Sequence, residues 1–160
     1  MWWQLIKLWF LIISVFLAVC AMADGTDINK QKDCIGPLRQ VLVAGKYSGS
    51  LDCSLVNIVI QKIGKIAIPA KSYTIYDLRY KTIPPDGLVS HGGQKILVIM
   101  NDQEYVGQYS LSPPPMHNMH IRGSSIYLDI PKKNGNRVRF DESGPPAKAF
   151  IDEEVVTLSR

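Results

Sequence analysis

Lys95-Ile96-Leu97-Val98-Ile99-Met100 (KILVIM) decides the fold of this chain. Five apolar residues in succession leave no wet face. Such a run predicts a central strand covered on both sides, because a strand with one solvated face alternates in polarity. Upstream, Tyr73–Lys81 (YTIYDLRYK) does alternate. Tyr76, Leu78 and Tyr80 share one side and Asp77, Arg79 and Lys81 the other, which predicts a half-buried strand.

Outward from these two, the pattern stays β. Lys65–Ile68, Tyr105–Leu111, His120–Arg122, Ser125–Ile130, Arg137–Phe140 and Val155–Leu158 are short runs rich in β-branched and aromatic residues. Turn chemistry separates them: Pro84-Pro85-Asp86-Gly87, Gly92-Gly93, Asn101-Asp102, Pro113-Pro114-Pro115, Asn134-Gly135 and Gly144-Pro145-Pro146. For the hairpin at Asn134-Gly135, a three-residue loop, Lys133-Asn134-Gly135, puts Leu128 opposite Phe140 and Asp129 opposite Arg139. That register gathers apolar residues on one face and opposite charges on the other.

Helix is expected only near the start of this region. Gly36-Pro37 suits a first turn, Leu38, Val41 and Leu42 follow at helical spacing, and Gly45 offers a stop. Ser54–Ile63 (SLVNIVIQKI) fits either a helix face or a strand, and its first half is assigned to helix. The expected fold is therefore mainly β with a short N-terminal helical segment, arranged as a small antiparallel β-sandwich or open barrel.

The first 23 residues read as a cleavable signal peptide. Lys7 precedes the apolar run Leu8–Val19, and Ala21-Met22-Ala23 offers small residues where a signal peptidase requires them. A retained membrane anchor and lipidation at Cys20 are the alternatives. Cleavage near Ala23 would leave residues 24–160 as a single secreted, mostly β domain, periplasmic or extracellular, with no transmembrane segment. It would remove one cation from a chain of net charge +4 and no acid. The result is mildly basic, too weakly so to argue for nucleic-acid binding. Two cysteines would remain, Cys34 and Cys53, and an exported pair predicts a disulfide.

Three stretches carry candidate chemistry. Met116-His117-Asn118-Met119-His120 offers soft and borderline ligands suited to copper. In an extended chain, however, His117 and Met119 share one side and Met116 and His120 the other, so one ion would reach only one pair. Ser90-His91-Gly92-Gly93 resembles the Gly-rich turns that supply oxyanion-hole amides. No G-x-S-x-G elbow accompanies it, so a mobile surface loop is the simpler expectation. Lys132, Lys133, Arg137 and Arg139 cluster at the hairpin tip and edge, where they suit either an anionic partner or protection of an edge strand.

No cofactor motif is present. The leading expectation is a non-catalytic exported binding module of the periplasm or cell envelope, an inhibitor, immunity-type or assembly accessory protein. Its partner would be another envelope protein with an acidic surface. The alternatives are a small envelope hydrolase using His91 or His117, and a copper-handling protein using Met116–His120. The oligomeric state is left open.

Overall fold

The computed structural model describes residues 34–53, 56–82, 91–111, 116–130 and 136–160. The expectations for the signal peptide, for Cys20 and for Lys132 and Lys133 lie outside them.

Among the described residues one helix, α1 (Leu38–Ala44), precedes nine strands: β1 (Val56–Ile68), β2 (Lys71–Thr82), β3 (His91–Met100), β4 (Glu104–Leu111), β5 (Met119–Arg122), β6 (Ser125–Leu128), β7 (Arg137–Arg139), β8 (Lys148–Ile151) and β9 (Glu154–Ser159). Six of them form an antiparallel sheet in the order β1-β2-β3-β4-β9-β8, and β5-β6-β7 form a second one. The architecture is mainly β and open rather than a closed barrel, as the sequence predicts.

KILVIM lies on β3, between β2 and β4, and both its faces are covered. Ile96 and Val98 enter a cluster with Ile126, Leu128 and Val138 of the second sheet. Leu97 and Ile99 enter another with Leu38 and Leu42 of α1 and with Cys53. The large sheet is therefore the middle layer, with the smaller sheet on one side and the helix and its disulfide loop on the other. Cys34 and Cys53 are joined as a disulfide, their Cα atoms 6.1 Å apart.

Three sequence expectations require correction. Residues 56–63 of the stretch assigned partly to helix belong to β1, paired with β2 from Val56↔Thr82 onward. Ile58 and Ile60 alternate onto the helix-side cluster and Val56 is buried in phase with them, while Asn57, Val59 and Gln61 point outward, the alternation of a strand that β-branched residues favour. A bulge between Lys62 and Gly64 then shifts the parity, and Ile66 reaches the opposite cluster.

The Asn134-Gly135 hairpin is the second. Its observed register is Ser125↔Arg139, Ile126↔Val138 and Tyr127↔Arg137, four positions from the expected one. An even shift preserves which side chains face inward, so Ile126, Leu128, Val138 and Phe140 are all buried. Leu128 donates its backbone N–H to Asn136, not to Phe140. Face alternation fixes the parity of a register but not its offset.

Third, β2 is not half-buried. Asp77, on its expected wet side, is only 2% exposed, because residues 116–118 cross over it. Strand β8 was not anticipated at all. It joins β9 through Asp152-Glu153, both with positive φ, as tight two-residue hairpin turns require.

Candidate functional site

The second sheet turns one face to the core and the other outward. Met119, Ile121, Ile126, Leu128 and Val138 point inward, so the alternate residues must share the outer side. Cross-strand pairing arranges these as two rows. Arg122, Ser125 and Arg139 form one, and His120, Tyr127 and Arg137 form the other. Three arginines and a histidine thus lie around a single tyrosine on three short strands.

The aromatic centre is ordered by its neighbours. His120 stacks on Tyr127 with ring centroids 5.5 Å apart and planes 10° from parallel. The Arg122 guanidinium lies 5.9 Å from the same ring centroid, within reach of its negative face. His120 Nδ1 is 3.3 Å from a carboxylate oxygen of Asp129, which orients the imidazole. Arg122, Arg137 and Arg139 are exposed and have no ion-pair partner among the described residues.

Beside Arg139 the face drops into an open cleft of about 590 Å³ bordered by Ile68, Pro69, Ser124 and Glu142. Asp141 borders it too, its carboxyl held below the usual carboxylate range by hydrogen bonds from the Ser143 hydroxyl and backbone N–H. Cations on the flat face and acids at its margin together define the face's electrostatic outline.

Of the basic residues singled out from the sequence, Arg137 and Arg139 stand on this face. Arg139 pairs with Ser125 rather than with Asp129, which faces His120 instead. Arg122, Tyr127 and His120 were not recognised as members. The alternation Met119-His120-Ile121-Arg122 carried that information, but only the correct register sets Arg122 in line with Arg139.

The remaining candidates go to different places. His117 is buried, and its main chain, not its imidazole, is engaged by Gln94 and Arg79. Met119 packs against the inter-sheet cluster and His120 lies on the outer face, so the two imidazoles belong to separate environments. Among the described residues, no group of three or more His, Cys, Asp or Glu side chains gathers in a way that could hold a metal. His91, Gly92 and Gly93 are strand residues facing Thr82, Lys81 and Tyr80, so they do not form the expected loop.

No protein-family model matches the chain, and no curated protein or solved structure is significantly similar to it.

Proposed function

We propose that this chain is a non-catalytic, exported binding module that docks the outer face of its second sheet onto an acidic protein surface. The observation that carries this is the pair of cross-strand rows, Arg122–Ser125–Arg139 and His120–Tyr127–Arg137. Arginine with an aromatic centre is the composition that protein interfaces concentrate, since both give large contact area and directed hydrogen bonds. The strands supporting it are backed by the buried cluster. Lys132 and Lys133 precede β7 in the chain and would add to the same charge.

Export belongs to the proposal. Residues 1–23 would be a signal peptide and residues 24–160 the mature domain. The Cys34–Cys53 bond is compatible with an extracytoplasmic compartment. Among the described residues no helix is long and apolar enough to cross a membrane.

The test is affinity capture from the native envelope fraction, with wild type and Arg137→Glu/Arg139→Glu compared by quantitative mass spectrometry at low and physiological salt. A protein retained by wild type, lost by the variant and weakened by salt is the expected result, because charge steering sets association. Identical capture by wild type and variant at both salt concentrations would remove the proposal.

A further inference from the structure

We infer that Lys95, bracketed by Tyr47 and Tyr80, anchors a pocket for a small carboxylate that carries a short apolar group. The pocket lies on the helix side of the large sheet, across that sheet from the arginine face, and does not depend on that face's role.

Lys95 is the one polar residue of KILVIM and points towards the helix-side layer. Its ammonium lies 5.0 Å from the Tyr47 ring centroid and 5.7 Å from that of Tyr80. Among the described residues, no carboxylate lies within ion-pair reach of it. A half-buried lysine held by two ring faces alone is attracted but not neutralised. Burial accordingly pulls its pKa below the usual lysine value, an effect that a bound anion would oppose.

The space around it is built. A Cβ on Gly93 would come within 2.5 Å of the Tyr80 hydroxyl, and a Cβ on Gly49 within 2.3 Å of the Tyr47 hydroxyl. Both rings therefore lie where only glycine leaves room, and they frame a cavity of about 200 Å³. Val56, Ile58 and Leu78 supply its apolar wall, and Ser50 and Thr82 add hydroxyls.

These features select the ligand. One cation in a partly desolvated site matches one negative charge, and a cationic ligand would meet Lys95 as a repulsive neighbour. Tyr47 remains a protonated phenol, its pKa pushed up to about 12 by burial and by Tyr80, so it can donate a hydrogen bond to a carboxylate oxygen. The volume falls below the ~300–1,000 Å³ of pockets for drug-sized ligands, so the apolar part is a short chain or a single ring.

Benzoate is the probe and benzamide its uncharged counterpart. The purified, oxidised protein is titrated with each and followed by amide and side-chain NMR shifts. Benzoate is expected to give saturable shifts at Tyr47, Tyr80 and Lys95, with benzamide at least about tenfold weaker, the scale of one charge-assisted contact. Lys95→Met should weaken benzoate by a similar factor. The charged-against-neutral comparison on wild type decides the matter even if that variant does not fold. Absence of saturable shifts at about 10 mM benzoate, where even a millimolar site would fill, overturns the inference. So does equal binding of the two probes, or benzoate shifts confined to the arginine face.

Discussion

The Gln94 side-chain amide and the His117 main chain bond to each other in both directions: Gln94 Nε2 donates to the His117 carbonyl at 2.6 Å, and the His117 N–H donates to Gln94 Oε1 at 2.8 Å. A side chain here does what a neighbouring strand would do, satisfying both polar groups of a buried residue. The same Nε2 also donates to Asp77 at 2.9 Å, and Arg79 closes the group by donating to Asp77, to the His117 carbonyl and to Asn118. This latch carries the chain from the large sheet towards β5, and so positions the arginine face.

Gln94→Ala is therefore expected to destabilise the fold by roughly 2–4 kcal/mol, because it strands buried polar groups rather than removing a single contact. Urea unfolding measures it. A loss under about 0.5 kcal/mol would show that residues 116–118 do not depend on Gln94.

The end of α1 yields two substitutions of opposite sign. The Tyr47 N–H donates to the Leu42 carbonyl at 2.9 Å and the Lys46 N–H to Val43 at 3.1 Å, a Schellman arrangement with Lys46 at φ 60°. Lys46→Gly should stabilise by about 0.5–1 kcal/mol by relieving a left-handed lysine. Gly45, by contrast, has φ −81° and is needed for closeness, since a Cβ there would lie 2.4 Å from Tyr105 Cβ. Gly45→Ala should cost roughly 1–3 kcal/mol by overpacking. Thermal unfolding of the two variants should shift in opposite directions.

Tyr47 should give the protein an alkaline limit. Its phenol titrates near 10.0 when free and about 12 when folded, raised by burial and then by Tyr80. A raised acid pKa favours the neutral form in the folded state. The stabilisation is therefore complete below about pH 10 and is lost as pH rises towards about 12. Phenolate absorbance of wild type minus Tyr47→Phe should show a step in that upper range. A difference step at the ordinary tyrosine position would refute the assigned burial.

Cleaving the Cys34–Cys53 link, by reductant or by Cys34→Ser/Cys53→Ser, should cost ~3 kcal/mol on the chain-entropy treatment of a loop this long. The effect should concentrate in the layer formed by α1, because Cys53 packs there with Leu38 and Leu42. Hydrogen exchange should therefore open first at the amides of α1, while β6 and β7 keep their protection. Uniform loss across both layers would contradict this.

The two-sided burial of KILVIM was legible because polarity along a strand reports how many faces are covered. The helix Leu38–Ala44 was legible from spacing and from Gly36-Pro37. The helical assignment of the first half of Ser54–Ile63 failed over residues 56–58 because Val56, Val59, Ile60 and Ile63 satisfy helical spacing as well as strand preference. Pairing with β2, which the spacing within the segment does not report, settled it. The arginine face stayed hidden for a related reason: Arg122 and Arg139 become neighbours only through Ser125. The Lys95 pocket depends on Gly93 making room for the Tyr80 ring of the neighbouring strand, which no local pattern announces.

The order of strands also sets a sequence of events. Strands β1 to β4 pair with their chain neighbours, so each hairpin closes over a short loop and can form quickly. Strand β9 instead returns to β4, where the Ser159 hydroxyl meets the Gln108 carbonyl across 51 residues. Closing so long a loop carries a larger entropic cost, so β8 and β9 should join a meander that has already formed. Until they do, β4 stands as an unprotected edge with Gln108 and Tyr109 uncovered, the interval in which a nascent molecule is most open to strand exchange with another copy or to capture by a chaperone.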